Sequence, residues 1–289
     1  MAFRVPTGFP DVAEVAANPV VPVTIAWVSG GARGSWCTGF AKERGASREW
    51  DGYGYLAMNA SATTSSIAHV HIPCPRVELW GELAVPHDPR AMVILVHDFK
   101  EGWTDYQNWP TAWKLYRSGF VTLLVNLLHP DEQALQYAKG FPLFEMPLLV
   151  ERLAAIVRWA RAMGDAETMQ TGVLSSRMAA AASIEAAVNG IAIDALVCKA
   201  ARTDLVQDIA PRLAVPILLV ADEGDHRSRK RHWEFSRALG CEKKLVTLKG
   251  CRHRSNGEMS ALQTAQLAVD WFSLHLEARQ EHPEYLAAS

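Results

Sequence analysis

The sequence lacks the features that mark membrane proteins and nucleic-acid-binding proteins. No stretch approaches the roughly 18 consecutive apolar residues that a membrane-spanning helix needs. The 289 residues carry 29 basic and 31 acidic side chains, and the net charge of −2 offers no basic surface for nucleic acid or an anionic membrane. We therefore expect a soluble globular protein with neither nucleic acid nor a membrane as its partner.

Cysteine is scarce and shows no pattern of a disulfide framework or a zinc site. The chain has five cysteines, an odd number, and no two of them form a C-x-x-C pair. We therefore expect reduced thiols. The first residues lack the charged segment and apolar run of a secretory signal, which favours a cytoplasmic location. No motif indicates a cofactor, and none is expected.

One pair of histidines has a spacing that metal sites also use. His69 and His71 are two residues apart, which would place both imidazoles on one face of a strand. No third ligand is evident in the sequence. The pattern therefore fits ordinary strand residues better than a metal site, and we predict no metal.

From residue 76 to residue 276 the chain alternates short apolar runs with longer helical patterns. Runs typical of buried strands cover residues 77–85, 92–96, 120–125, 171–174, 193–198, 216–221 and 244–248. Helical spacing covers residues 109–118, 147–163, 179–188, 230–239 and 260–276. This alternation predicts an α/β fold with a mostly parallel central sheet and helices on both faces, in which residues 77–85 form an antiparallel strand.

The first 75 residues have a different character, because Pro, Gly, Ala and Ser are frequent there. Residues 19–28 form a plausible extra strand, while residues 29–34 and 52–66 have the composition of loops. We predict that residues 1–75 form an elaboration packed on a main domain of residues 76–289. The alternative is a surface for a protein partner or for homo-oligomer formation.

Several segments resemble one group of enzymes. The two strands at 93–97 and 119–128 are similar to the third and fourth strands of an α/β hydrolase. Five further segments resemble the dienelactone-hydrolase-like group of that superfamily: LVERL at 149–153, RTDL at 202–205, VPILLV at 215–220, GCRH at 250–253 and VDWF at 269–272. The resemblance implies the α/β-hydrolase fold and hydrolysis of esters or lactones. In that chemistry a nucleophile on a strand-to-helix elbow is followed along the chain by an acid and a histidine.

The acid and the histidine of this pattern have counterparts in the sequence. Asp225 follows the predicted strand 216–221, and His253 follows 244–248, so both are expected at the carboxyl edge of the sheet. Paired, they would hold the imidazole in one tautomer for proton transfer. The alternative is that each is an exposed loop residue. Cys251 lies on the histidine loop, away from the elbow, and is interpreted as structural.

The elbow departs from the pattern, since G-x-S-x-G is replaced by Ser175-Ser176-Arg177-Met178-Ala179. Residues two before and two after an elbow nucleophile must be small because the turn is very tight. Ser175 and Ala179 satisfy that rule around Arg177, which therefore occupies the predicted nucleophile position. Centring the elbow on Ser176 or Ser175 would place larger side chains at the crowded positions, although a shift of one residue stays open.

Two other parts of the predicted site have also changed. The oxyanion loop reads His97-Asp98-Phe99, with Asp98 where a glycine normally follows the histidine; its charge would oppose a developing oxyanion. The acid that commonly ends the fourth strand is replaced by Asn126. Arg177 cannot act as a nucleophile, which leaves three interpretations: an ion pair, for which Asp225 is the candidate partner, an anionic ligand, or a side chain that fills the old pocket or faces solvent.

Three functional hypotheses follow. The first is a non-catalytic binding or assembly subunit that binds a small carbonyl or anionic ligand, or a protein partner. The second is an active ester, thioester or lactone hydrolase in which Ser176, or Ser175, attacks with His253 as base and Asp225 as its orienting acid, and backbone amides near Phe99 and Arg177 form the oxyanion hole. The third is proton-transfer chemistry by His253 on an anionic substrate held by Arg177.

Overall fold

The structure is a computed structural model that describes residues 23–28, 35–40, 66–97, 108–139, 145–163, 169–250 and 257–276. The chain divides into two compact units, Met1–Met58 and Asn59–Ser289. In the first unit, β1 (Val23–Val28) pairs with β2 (Ser35–Phe40) as a two-stranded antiparallel sheet. The predicted strand at 19–28 thus coincides with β1 over its second half. The predicted loops at 29–34 and 52–65 lie outside the described residues.

The second unit is organised around one eight-stranded sheet. Its strands are β3 (Ser66–Cys74), β4 (Val77–Val85), β5 (Ala91–His97), β6 (Phe120–Asn126), β7 (Thr171–Ser176), β8 (Ala195–Lys199), β9 (Ile217–Asp222) and β10 (Lys243–Leu248). Their order across the sheet is β10-β9-β8-β7-β5-β6-β4-β3. The strands from β5 to β10 are parallel, whereas β4 pairs antiparallel with both β6 and β3. The predicted α/β class with a mostly parallel sheet is confirmed.

The sheet begins earlier than residue 76, where the main domain was predicted to start. β3 has a clear period of two, with Ala68, Val70 and Ile72 buried and His69 exposed. The histidines and serines of this strand dilute its apolar character, so the composition of the N-terminal part concealed it. Residues 66–74 therefore belong to the sheet of the second unit.

Six α-helices lie in the described part of the chain. They are α1 (Asn108–Arg117), α2 (Pro130–Lys139), α3 (Met146–Ala162), α4 (Arg177–Val188), α5 (His226–Ala238) and α6 (Gly257–His275). Two short 3₁₀ helices, Thr203–Leu205 and Gln207–Arg212, follow β8. The sequence did not predict α2, because its polar sequence shows no apolar stripe. None of the helices in the described ranges is long and apolar enough to cross a membrane.

The order of the strands determines where a site can form. The chain runs from β5 through α1 to β6 on one side of β5, and then returns through α3 to β7 on the other side. Because such crossovers are right-handed, the change of direction places α1 on one face of the sheet and the following helices α3 and α4 on the opposite face. The carboxyl ends of β5 and β7 adjoin at this reversal, which is where open α/β sheets bind ligands.

The core holds the strands at fixed positions beneath that edge. On the face covered by α1 and α6, Val93, Leu95 and Phe272 are fully buried. Phe272 packs directly on the backbone of Gly172 in β7, where a methyl group would lie only 2.5 Å from the ring. The α6 helix therefore requires glycine at this point of β7, four residues before the strand ends at Ser176.

Candidate functional site

The turn between β7 and α4 has an unusual backbone. Arg177 is the first residue of α4, and its φ angle is +47°, in the left-handed region. A side chain in this region costs on the order of 1 kcal/mol or more, since Cβ crowds the following carbonyl oxygen. The Arg177 side chain is exposed. A strained residue at a strand-to-helix turn is the geometry that an elbow requires.

A second strained residue lies next to the first. Ala200, directly after β8, has a φ angle of +49°. The two turns are joined by a hydrogen bond that the Arg202 amide donates to the Arg177 carbonyl at 3.1 Å. Because β7 and β8 are neighbours, the two left-handed residues lie side by side at the carboxyl edge. This bond fixes the Arg177 turn to the segment that follows β8.

The two serines before Arg177 belong to the strand. Ser176 has extended backbone angles, φ −126° and ψ 155°. Ser175 is fully buried and Ser176 is only 4% exposed. Ser175 lies opposite Cys198 of β8. Burial raises the pKa of the Cys198 thiol to about 12, against a smaller lowering by a hydrogen bond with Ser175. Neither hydroxyl is presented at the turn itself.

Asp225 caps the N-terminus of α5. Its Oδ1 accepts a hydrogen bond from the Ser228 amide at 3.0 Å, and its Oδ2 accepts one from the Ser228 hydroxyl at 2.6 Å. Partial burial acts to raise the pKa of Asp225, but these two bonds outweigh it, and the charges of Arg231 and Arg177 add to them, so the pKa lies below its usual range. Asp225 is thus an ionised cap at neutral pH.

Further charged residues surround the Asp225 cap, and the sequence reasoning did not identify them as a group. Arg231 donates to the Ser228 hydroxyl at 2.8 Å and lies 3.4 Å from Asp204. Asp204 is also held by both Nε and Nη2 of Arg202, at 2.9 and 2.8 Å. The RTDL segment at 202–205, noted for its resemblance, contains two of these residues. Arg231 lies in the α5 segment, and no feature of the sequence indicates that it belongs to this group.

His232 is a buried histidine that no pattern in the sequence distinguishes from its neighbours. It is 2% exposed and lies beside the Ala201 backbone, to which it is hydrogen-bonded. Burial, with the nearby charge of Arg231, lowers the pKa of His232 to about 4, although the Ala201 bond and Asp225 act in the opposite direction. The imidazole is therefore neutral at neutral pH.

Asn126 ends β6 at the same edge. Its Oδ1 accepts a hydrogen bond from the Leu128 amide at 2.9 Å, and its side chain is buried. This contact closes a tight turn after the strand, a role that asparagine commonly fills. Asn126 is therefore a turn-forming residue here, and its neutral amide contributes no charge to the edge.

Part of the predicted site lies outside the described residues. That part consists of Asp98, Phe99, His253 and Cys251, together with the side chain of His97. The backbone of His97 ends β5 opposite Asn126 of β6. The structure thus brings the Arg177 turn, the Asp225 cap and the end of β5 to one edge of the sheet. The pairing of Asp225 with His253 remains a prediction.

The two histidines of β3 are engaged in pairs across the strands. His69 lies 4.0 Å from Glu82, and His71 lies 3.3 Å from Glu78. Within the described ranges, no group of three or more histidine, cysteine, aspartate or glutamate side chains is arranged to hold a metal ion. Nothing in this part of the molecule therefore suggests a metal centre.

Comparison with known proteins gives relatives at low identity. No protein-family model matches the chain. Two proteins from two strains of Mycobacterium tuberculosis, both named as candidate phosphoribosyl transferases, are 27% identical over 208 residues, which is 72% of this chain and 46% of each relative. The chain therefore spans about half the length of these relatives.

Solved structures give a closer match of the fold. A dienelactone hydrolase from Anabaena variabilis superimposes with a TM-score of 0.67 and 24% identity, over 74% of this chain and 99% of that protein. Est1E from Butyrivibrio proteoclasticus superimposes with a TM-score of 0.58 and 13% identity, over 71% and 99%. A cold-adapted esterase from an Arctic metagenomic library gives 0.57 and 12%, over 73% and 94%. The predicted fold and resemblance are confirmed, and at these identities the likeness concerns the fold alone.

Proposed function

We propose that this chain, which has the α/β-hydrolase fold, has lost the serine nucleophile and is a non-catalytic binding or assembly subunit. The observation that carries the proposal is the left-handed backbone of Arg177 at the turn between β7 and α4, with φ +47°. In this fold the nucleophile occupies such a strained turn, so that its side chain stands clear of the sheet. Here that side chain is a guanidinium, which is permanently protonated and cannot attack a carbonyl.

The neighbouring serines support the same conclusion. Ser175 and Ser176 are consecutive residues of an extended strand, so their side chains point to opposite faces of the sheet. Both are at most 4% exposed. A hydroxyl in either position is packed within the sheet and its helices, whereas an attacking hydroxyl must meet a substrate in an open site. Arg177, by contrast, has an exposed side chain.

The charges at the edge fit an internal ion pair better than a proton relay. Asp225 is held as a carboxylate by Ser228, and the charge of Arg177 further lowers its pKa. A permanent positive charge beside this carboxylate stabilises it without an imidazolium. We therefore assign Arg177 and Asp225 to charge compensation, so that any ligand of this edge, a small carbonyl compound, an anion or a protein surface, meets a preformed pair. A cytoplasmic location is part of the same proposal, as Cys74, Cys198 and Cys241 are free thiols.

The alternative is an active hydrolase that uses Ser176, or Ser175, with His253 and Asp225. The names of two structural neighbours, a dienelactone hydrolase and an esterase, favour it. It requires the elbow to shift by one residue, so that Ser176 takes the left-handed turn and Arg177 moves into the helix. The activity in the names of the Mycobacterium tuberculosis relatives is not part of either proposal, because less than half of their length is matched.

Kinetics of two variants separate the proposal from its alternative. Hydrolysis of short activated esters and thioesters is measured for the wild type, His253→Ala and Ser176→Ala. We expect the wild type to remain at the background rate and both variants to behave in the same way. Turnover by the wild type that each substitution abolishes, with the fold intact by circular dichroism, would establish the hydrolase instead. Turnover lost in His253→Ala but kept in Ser176→Ala would leave two explanations, which Ser175→Ala separates. Loss of turnover in that variant would identify Ser175 as the nucleophile, and retention would indicate proton-transfer chemistry by His253.

A further inference from the structure

A groove lies on the face of the sheet that α1 covers, where β4 and β6 emerge beside the helix. The described residues that line it are Glu82 and Ala84 of β4, Thr122 and Leu124 of β6, and Ala112, Trp113 and Tyr116 of α1. Thr122 and Leu124 lie in the middle of β6, before its carboxyl end. The groove is therefore separate from the Arg177 edge, and its role does not depend on the function proposed for that edge.

Glu82 is the one acidic side chain among these lining residues, and its situation is unusual. The strand partner of Glu82 in β6 is Leu124, and the side chain of Glu82 is only 11% exposed. Its sole ionic contact in the described part of the chain is His69, at 4.0 Å, and that imidazole is 63% exposed. Burial raises the pKa of Glu82, and the charge of His69 opposes this only in part. An ionised carboxylate in such surroundings is costly unless a cation joins it.

Glu78 provides an internal comparison on the same face of β4. It also pairs with a histidine of β3, His71, at 3.3 Å, but its side chain is 59% exposed. Water can solvate the Glu78 carboxylate, so its ionisation at this position costs little free energy. The two glutamates thus share a strand, a face and a type of partner, and they differ in burial. Only Glu82 lies against the groove, which indicates that the groove and the carboxylate form one site.

The aromatic wall of the groove suits a cation as well. Trp113 and Tyr116 stack on each other, with ring centroids 5.4 Å apart and planes 20° from parallel. Trp113 is 44% exposed, although tryptophan is usually largely buried. Aromatic ring faces attract ammonium groups, and this attraction adds to that of a nearby carboxylate. The apolar part of the same wall can contact an alkyl chain.

The groove is small. Between its walls there is room for about one water-sized group. A primary ammonium head is close to that size, whereas a trimethylammonium head is much larger. We propose that this groove binds a small alkylamine, with its primary ammonium group against the Glu82 carboxylate and its alkyl chain along Trp113 and Tyr116. Nothing in this assignment involves chemistry on the amine.

The test is a titration of the full-length protein with n-butylammonium, followed by the indole N–H signals of ¹⁵N-tryptophan-labelled protein. The Trp113 signal is identified with Trp113→Phe. We expect a saturable shift of this signal with butylammonium, and no comparable shift with 1-butanol or tetramethylammonium at equal concentration and ionic strength. A shift with 1-butanol equal to that with butylammonium, or no shift of Trp113 at all, would overturn the proposal. The comparison of the three ligands uses the wild type alone, and Trp113→Phe serves only to assign the signal.

Two matched variants then test whether the amine binds at the Glu82 carboxylate. Glu82→Gln keeps the size of the side chain and removes its charge, and it should weaken the apparent affinity for butylammonium about tenfold or more, as expected for a charged hydrogen bond. Glu78→Gln makes the same change at the exposed position and should alter the affinity less than about twofold. Equal effects of the two substitutions would show that the amine does not bind at the Glu82 carboxylate.

Discussion

Two arginines of this protein illustrate how burial and partners separate a structural charge from a candidate functional one. Arg152 of α3 is 2% exposed, and its two terminal nitrogens hold both carboxylate oxygens of Glu132 at 2.6 and 2.7 Å. It also donates to the Leu127 carbonyl at 2.8 Å. Arg177 is exposed at a strained turn of the carboxyl edge. Arg152 is buried among its partners, whereas Arg177 lies exposed at the edge where open α/β sheets bind ligands.

The two arginines therefore contribute to the protein in different ways. The Arg152 pair joins α3 to α2, and the Glu132 carboxylate also accepts a hydrogen bond from the His129 amide at 2.9 Å. Both oxygens of Glu132 and both terminal nitrogens of Arg152 are hydrogen-bonded, while the buried Nε of Arg152 has no partner among the described residues, so the pair is tolerated through its bidentate contact. Arg177 instead lies at a strained turn, which the Arg202 amide holds through its hydrogen bond to the Arg177 carbonyl. We interpret the first as part of the scaffold and the second as a remnant of the site.

The largest effect is expected from breaking the buried pair. Arg152→Ala leaves the Glu132 carboxylate partly buried without its partner, and such losses cost about 3–5 kcal/mol of unfolding free energy. Urea denaturation of the purified protein measures this. Arg158→Ala, at an exposed position of the same helix, is the control and should change stability by less than about 0.5 kcal/mol. A similarly small loss for Arg152→Ala would remove the distinction between the two arginines.

His232 makes stability near the Asp225 cap depend on pH. Its folded pKa of about 4 lies below the ordinary value of 6.5, so the unfolded chain binds the proton more readily. Stability is therefore fully present above about pH 6.5 and falls as the pH decreases towards 4, by about 3 kcal/mol in total. The measurement is the unfolding free energy from pH 7 to pH 4. His232→Gln should flatten this decrease, while His226→Gln, on the exposed side of α5, should preserve it.

A smaller effect tests Asp225 as a helix cap. Asp225→Ala removes the acceptor for the Ser228 amide and should cost about 1–2 kcal/mol, whereas Asp225→Asn retains an acceptor oxygen and should cost less. The lowered pKa of Asp225 means that this contribution is present above about pH 4 and disappears as the pH falls through the folded pKa. Thermal unfolding at pH 7 and pH 3 measures both. Equal losses for the two variants at pH 7 would contradict a capping role.

The smallest effect concerns the turn at Arg177 itself. Glycine tolerates a φ angle of +47°, whereas a β-branched residue does not. Arg177→Gly should therefore leave stability unchanged or raise it by up to about 1 kcal/mol, and Arg177→Val should lower it by about 1–2 kcal/mol relative to Arg177→Gly. Denaturation curves of the two variants give the difference. If valine were tolerated as well as glycine, the left-handed residue would lie elsewhere, and Ser176 would again be the candidate nucleophile.

Much of the sheet could be predicted because its strands carry short runs of apolar residues, whether the strand is buried on both faces, as in β6, or mainly on one face, as in β4. β4 was predicted with the bounds Val77–Val85, and β6 and β10 within one residue. Among the strands and α-helices of the second unit, two were missed, β3 and α2, for the same physical reason. Each presents a polar surface and is held by tertiary contacts, β3 by pairing with β4 and α2 by the Arg152–Glu132 bridge. The pattern of apolar residues in a segment does not predict such tertiary contacts.

The candidate site could be predicted only at the elbow, where the motif determined which residue lies at the turn. The small residues around Arg177 indicated a tight turn there, and the φ angle of +47° agrees with that register. The capping bonds of Asp225 and the burial of His232 depend on how α5 packs against the segment after β8, which residue types do not specify. The Glu82 groove likewise arises from three elements that are distant in the sequence.

The central claim is that the elbow no longer carries a nucleophile, and labelling with a fluorophosphonate probe tests it most directly. The purified wild-type protein is incubated with the probe beside an active serine hydrolase as control, and peptide mass spectrometry then identifies any modified residue. We predict strong labelling of the control and no adduct on Ser175 or Ser176. A stoichiometric adduct on either serine would contradict the account and establish a serine hydrolase with an unusual elbow.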